Sequence, residues 1–320
     1  MSILITGGTG FIGAQVVQLL LEKNEQGIVV FDINPSTKLL EGVADQIEIV
    51  RGDLGNFSHV LNVVKTVRPK AIYHLGGMLS VPSDADHAAS FRANAMGTFH
   101  ILEAAKLFEV PQVFFSSTLA TYGLDIQTPE IDDYTLQRPQ LFYGCTKVFC
   151  EHMGLFYKRK YGLDFRGIRY PSIVGPGVKT PGVVQYTSWA IEESVKGSPY
   201  TIYVQPETRC PVMYFKDAAI AMIKVAEAPA EKIQMVNYII AGAKPIASAQ
   251  ELAEIIRDRI PSAQIDFEPD LELQKVLDKL LLPIDDRIAR EEWGWESQYD
   301  QERIVDDFIM EMKNHPERYE

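Results

Sequence analysis

A short apolar run, Ser2-Ile3-Leu4-Ile5, leads directly into Thr6-Gly7-Gly8-Thr9-Gly10-Phe11-Ile12-Gly13, and apolar residues then recur at helical spacing from Phe11 to Leu21. The run predicts a buried parallel strand and the spacing an amphipathic helix, with Gly7, Gly10 and Gly13 between them in a GxxGxxG pattern. Glycine permits a tight turn with positive φ, lets a backbone approach a pyrophosphate, and lets a helix pack close on a strand. The unpaired amides at the start of that helix, around Phe11 and Ile12, then face the phosphates.

The rest of the first half repeats the alternation. Gly27-Ile28-Val29-Val30-Phe31 ends in Asp32, at the distance where a dinucleotide fold presents an acid to the adenosine ribose. A carboxylate there accepts hydrogen bonds from ribose hydroxyls and repels a 2′-phosphate, which favours NAD over NADP. A third run, Gln46 to Val50, leads into Gly52-Asp53-Leu54, and a fourth, Ala71 to Leu75, leads into Gly76-Gly77. Further strands are predicted at 112–115 and 165–169, and helices at about 93–108 and 147–161. Strand, loop and helix alternating in this way predict an α/β fold built on a doubly wound parallel sheet.

At 320 residues the chain can hold one large α/β domain with an appended lobe. From Pro171 to Pro211 it turns rich in Gly and Pro, which predicts an irregular lobe over the cofactor. A helix at 215–226 and a strand at 236–240 read as a return to the sheet, followed by smaller elements at 249–259, 271–280 and 300–313. Trp293-Gly294-Trp295 is expected to pack a helix end. The expected division is a dinucleotide-binding domain over 1–170 with return elements at about 213–240, and a smaller C-terminal substrate-binding lobe from 171–212 and 241–320.

The formal charge of −12 argues against nucleic acid or an anionic membrane as partner, since both require a basic face. No run of about 18 apolar residues occurs, and Met1 directly precedes the first strand, so a cytoplasmic location is expected. Cys145, Cys150 and Cys210 show no CxxC spacing and read as buried thiols. The six histidines stand in no ligand pattern, so no metal is expected.

Two further stretches carry chemistry. In Tyr143-Gly144-Cys145-Thr146-Lys147 a tyrosine precedes a lysine by four residues, which on a helix places both on one face. A nearby ammonium favours phenolate over phenol and so lowers the tyrosine pKa toward that of a general base for an alcohol proton. Ser116-Ser117-Thr118 sits at the end of the fifth strand, where ligands bind in such sheets, and Ser117 and Thr118 can donate to a substrate oxygen.

In this order, the glycine motif, Asp32, Asp53-Leu54, Leu75-Gly76-Gly77, Asn94-Ala95-Met96-Gly97-Thr98, Ser117-Thr118 and Tyr143/Lys147 resemble the extended short-chain dehydrogenase/reductases, with their Rossmann sheet. The second half is similar to the L-threonine 3-dehydrogenase branch, through Ile168-Arg169-Tyr170-Pro171, Glu207 to Asp217, and Ala289 to Trp295. The resemblance implies a cytoplasmic, homodimeric oxidoreductase acting on a small molecule. Hydride passes to NAD from a secondary alcohol, such as that of L-threonine or a less charged analogue. It assigns Tyr143, Lys147, Ser117 and Thr118 to catalysis. Gly7, Gly10, Phe11, Ile12, Asp32, Asp53, Leu54, Leu75, Gly76, Gly77, Asn94, Tyr143, Lys147, Tyr170 and Ile173 are assigned to the cofactor.

Ser80 and Thr118 are implied near the substrate, together with Val183, Val184 and Gln185. At these last three positions the threonine enzymes typically carry Thr-Thr-Asp. The substitution removes two hydroxyls and a carboxylate that could meet an amino acid. A nucleotide-sugar 4-epimerase or dehydratase is the alternative, but Ser172 and Val212-Met213 stand where such enzymes usually place Asn and Arg-Asp. A dinucleotide-sensing regulator without turnover would have no need of the Tyr143, Lys147 and hydroxyl set. In this family the helices near 94–107 and 147–161 pair across the dimer axis, with Phe99, Leu102, Phe149 and Phe156 on them.

Overall fold

A computed structural model describes residues 2–180 and 182–319. Strand and helix alternate through β1 (Ile3–Thr6), α1 (Phe11–Glu22), β2 (Ile28–Asp32), β3 (Glu48–Arg51), α2 (Phe57–Val67) and β4 (Ala71–His74). Two short helices, α3 (Ser80–Ala85) and α4 (His87–Ser90), then run through a π-helical turn (Phe91–Met96) into α5 (Gly97–Leu107). β5 (Gln112–Thr118), α6 (Phe142–Tyr161) and β6 (Asp164–Tyr170) follow. The remainder comprises β7 (Ser172–Val174), α7 (Tyr186–Lys196), β8 (Tyr200–Ile202), β9 (Val212–Tyr214), α8 (Phe215–Glu227) and β10 (Asn237–Ile239). α9 (Ala249–Arg259), β11 (Ile265–Phe267), α10 (Leu271–Leu280), α11 (Arg287–Trp293), α12 (Gln301–Asn314) and α13 (Pro316–Tyr319) complete it.

Seven strands form one sheet in the order β10-β6-β5-β4-β1-β2-β3, and every neighbouring pair is parallel. The chain starts in the middle and winds outward in both directions, so the loops after β1 and β4 flank the point where the order reverses. In parallel sheets that is where ligands bind. Both faces are covered, which explains why the strands read as continuous apolar runs. Alternate residues of β1 point to opposite faces of the sheet: Ile3 and Ile5 pack with α1 and α8, while Leu4 packs with α2 and α5.

A second core lies outside the sheet. The pairs β7–β9 and β8–β11 combine with α7, α9, α10 and α12 around Tyr186, Ile191, Leu252, Ile256 and Phe308. Phe11 and Ile173 pack against this core, and Ile173 also packs against the first, so the two meet at the head of α1. Among the described residues no helix is long and apolar enough to cross a membrane.

Three local expectations differ from the structure. The segment expected to be irregular contains β7, α7 and β8; α7 buries Thr187, Ser188, Glu192 and Ser194 beside its apolar residues, which hides its amphipathic period. α6 begins at Phe142, five residues before the expected start at Lys147. The Phe142 amide is capped by Asp84 Oδ1 at 3.0 Å, from α3, far away in sequence. Cys145 is exposed because it faces away from the sheet, while Cys150 and Cys210 are buried.

Candidate active site

The loop after β1 closes on itself through Gly10 N–H to the Gly7 carbonyl at 3.1 Å. Gly7 has φ +69°, and a Cβ there would lie 2.6 Å from Gly76 Cα, while one on Gly13 would lie 2.1 Å from the Gly7 carbonyl oxygen. Side chains are therefore excluded where the two loops meet, and the first-turn amides of α1, capped by no side chain, stay available to an anion. This arrangement fits a pyrophosphate. The side chains of Phe11 and Ile12 turn elsewhere: Phe11 stacks on Phe215 at 4.7 Å between centroids, and Ile12 packs on the sheet core, so these residues offer the anion their backbone only.

Asp32 stands at the end of β2, its carboxylate accepting the amides of Thr9 at 3.3 Å and Asn34 at 3.1 Å. That fixes the acid beside the glycine loop. Asp53 caps its own turn by accepting the Gly55 amide at 2.8 Å, and the Leu54 carbonyl accepts from His100 Nδ1 at 2.8 Å. Leu75 follows β4, donating its amide to the Thr6 carbonyl at the end of β1 at 3.1 Å, and Gly76 donates to Thr6 Oγ1 at 3.2 Å. Gly77 passes close to Asn94 and Lys147. Asn94, buried in the π-helical turn, takes the Met78 amide at 2.7 Å and donates to Thr146 Oγ1 at 3.2 Å.

Behind this junction lies His74, which no sequence motif singled out, although a histidine in the apolar run Ala71 to Leu75 was itself a signal. Its Nδ1 is 2.7 Å from Thr6 Oγ1 and its Nε2 is 3.0 Å from Thr98 Oγ1. The Thr98 hydroxyl donates to the Asn94 carbonyl at 2.7 Å, so Nε2 must be the donor to Thr98 and Nδ1 accepts from Thr6. The ring is thus neutral, and burial, with Lys147 nearby, pushes its pKa down to about 3.

The hydroxyl cluster occupies the last residues of β5, and α6 lies across it. Lys147 is buried and donates to the Ser116 carbonyl at 2.7 Å, with its ammonium 4.7 Å from the Phe115 ring centroid and 5.7 Å from that of Tyr143. Burial draws its pKa down to about 8, opposed by Cys150 and Glu151. Tyr143 and Thr118 are hydrogen-bonded side chain to side chain. The Tyr143 phenol is nevertheless pushed above its ordinary value: burial outweighs the help of Thr118, and the lowering expected from the lysine does not prevail.

Two predicted residues face elsewhere. Ser117 is buried and donates to Glu151 Oε1, so of the two hydroxyls expected at the substrate only Thr118 lies with Tyr143. Successive strand residues point to opposite sides, which separates the pair. The Tyr170 side chain sits in the sheet core with its hydroxyl on the Ala218 carbonyl at 2.8 Å, leaving only its backbone for a cofactor. Ile173 is half-buried where the two cores meet.

Ser80 opens α3 and is half-buried. Val183 is exposed, Val184 packs on the second core, and Gln185 donates to the Thr180 carbonyl at 3.1 Å. A cavity of about 360 Å³ lined by Gln15, Lys216, Tyr299, Glu311, His315 and Arg318 contains none of these residues. Glu41, His315 and Glu317 bring possible metal-ligand atoms within 4.8 Å of one another on partly exposed surface, again apart from them.

Comparison with known proteins agrees with this geometry. Residues 3–241 match the NAD dependent epimerase/dehydratase family. The chain belongs to that family. It is 29% identical over 307 residues to the mitochondrial L-threonine 3-dehydrogenase of Bos taurus, covering 95% of this chain and 80% of the relative. Its fold is similar to that of the GalE-like L-threonine dehydrogenase from Cupriavidus necator in its holo form, with TM-score 0.84 and 28% identity over 97% of this chain and 99% of the other. The L-threonine dehydrogenase of Clostridium difficile gives TM-score 0.87 and 27% identity, covering 98% of each chain. The protein is an NAD-dependent dehydrogenase acting on a CH–OH group.

The neutral His74 yields a pH prediction. Its folded pKa lies below its unfolded value, so acid protonates the unfolded chain first, and stability is lost as pH falls from 6.5 toward 3. Unfolding free energy from urea titrations should include a drop of about 2 kcal/mol between pH 7 and pH 5 that is missing in His74→Gln. An equal pH slope in the two proteins would contradict the neutral assignment.

Proposed function

We propose that the enzyme oxidises the secondary alcohol of a small 3-hydroxy compound, with Thr118 orienting the hydroxyl, Tyr143 taking its proton and Lys147 supplying the positive charge that balances the phenolate. The observation that carries this reading is the continuous set of Thr118, Tyr143 and Lys147 around the end of β5, next to the glycine loops. NAD, when bound, supplies the hydride acceptor. Gly7, Gly10 and the α1 amides would hold its pyrophosphate, Asp32 its adenosine ribose, and Lys147 with the Gly77 and Asn94 region its nicotinamide end. Ser117 acts from behind β5.

The relatives named for L-threonine support a substrate of that size. Val183, Val184 and Gln185 supply no charge to an amino-acid head group, which favours an analogue without the ammonium. The exposure of Val183 lets water reach the segment, so the penalty on threonine is smaller than for a fully buried charge. A nucleotide sugar is disfavoured because Val212 and Met213 are buried apolar residues of β9 and cannot clamp a diphosphate. Exposed Phe99 on α5 and Phe149 and Phe156 on α6 support pairing of two copies across these helices.

Tyr143→Phe should keep NAD affinity and lower turnover by about 10² to 10⁴, the range of a general acid–base residue. Steady-state NADH formation reads this, and retained turnover would remove Tyr143 from the reaction. For substrate choice, kcat/KM for L-threonine should be at least about tenfold below that for 3-hydroxybutyrate. Val183→Thr, Val184→Thr and Gln185→Asp together should narrow the gap. Efficient threonine oxidation by the unaltered chain would show that other groups bind the amino acid.

A further inference from the structure

The stripe formed by Tyr143 and Lys147 on α6 has a third member one turn on, Glu151, which is 2% exposed. Its carboxylate receives Arg169 Nη2 at 2.7 Å and Arg169 Nε at 3.1 Å, the Ser117 hydroxyl, and Gln137 Nε2 at 3.0 Å. Arg169 lies on β6 directly opposite Ser117 in the strand register. It also donates to the Tyr122 hydroxyl at 3.1 Å and stands 3.9 Å from Asp133, which accepts the β10 amide of Ile239 at 2.6 Å. A single carboxylate thus ties α6 to β5, and through Arg169 to β6 and the following segment. Ser117, its β5 partner, lies between Ser116, whose carbonyl holds Lys147, and Thr118, which meets Tyr143.

We infer that Glu151 is a positioning residue: by gripping Ser117 and Arg169 it fixes the end of β5 relative to α6, and so sets the Thr118, Tyr143 and Lys147 geometry while its charge supports the Lys147 ammonium. This rests on the catalytic reading given above. A buried carboxylate with an arginine and a hydroxyl on it has little freedom, and neutralising it strands the Arg169 charge. Lys147 faces Tyr143, Cys150 and Glu151 on its own helix and the neutral His74 from β4, so Glu151 is the carboxylate among these neighbours. Without it the ammonium loses its proton at lower pH.

The test compares Glu151→Gln, Ser117→Ala and Tyr143→Phe with the unaltered enzyme. The measurements are NAD affinity by calorimetry, and kcat, KM and the pH profile of kcat, with L-threonine or 3-hydroxybutyrate, whichever the unaltered enzyme oxidises faster. Glu151→Gln should bind NAD within about threefold of the unaltered enzyme and lose kcat about ten- to a hundredfold with a smaller change in KM. Its alkaline limb should move to lower pH. Ser117→Ala should lose kcat by a smaller factor with that limb unmoved. Unchanged kcat in Glu151→Gln, or a lower kcat with an unshifted limb or with NAD binding lost, would overturn the inference. If Glu151→Gln does not fold, Ser117→Ala decides: reduced kcat with retained NAD affinity upholds the inference and unchanged kcat overturns it. Full turnover in Tyr143→Phe would instead defeat the catalytic reading beneath it.

Discussion

A lysine ammonium buried under the end of a β-strand is the constraint on which the site depends. Removing such a charge from water is costly, so everything around Lys147 must be arranged to hold it. The Ser116 carbonyl accepts a hydrogen bond from it, the Phe115 ring presents its face, and Glu151 stands a turn away. Each partner dictates where something else can be. β5 has to run on to Thr118 for the Ser116 carbonyl to point at α6, and α6 has to start by Phe142 for Tyr143 to lie beside Thr118.

The parallel sheet brings the remaining parts to the same edge. Because every strand runs the same way, the glycine loop, Asp32, the Gly76-Gly77 turn and the hydroxyl cluster all emerge on one side. His74 links them: through Thr6 it braces the loop after β1, and through Thr98 it braces the helix that follows Asn94. Dinucleotide binding and proton handling are therefore one packed unit. The Lys147 charge lies near enough to His74 to help keep that ring neutral.

Much of this was legible in the sequence because it is encoded by spacing. The glycine pattern, the acid ending the second strand, the strand and helix alternation and the four-residue step from Tyr143 to Lys147 are local. The same step continued to Glu151 and could have been followed further. What local reading missed depends on partners distant in the chain. The cap on α6 comes from Asp84, the direction of Ser117 is set by Glu151 and Arg169, and the Tyr170 hydroxyl is claimed by Ala218. α7 was hidden because its buried face carries hydroxyls and a glutamate. The shift of the Tyr143 phenol had the opposite sign to that expected because spacing reveals the charged neighbour but not the degree of burial, and burial prevails.

The most direct test of this account is the titration of Lys147 itself. Lysine side chains labelled with ¹³C at Cε, followed by NMR against pH and assigned by comparison with Lys147→Met, would give its pKa in the folded protein. The account predicts a value of about 8, drawn down by burial from the ordinary 10.5. A resonance titrating at or above the ordinary lysine value would show that Lys147 is solvated, and would contradict the buried charge around which the site is built.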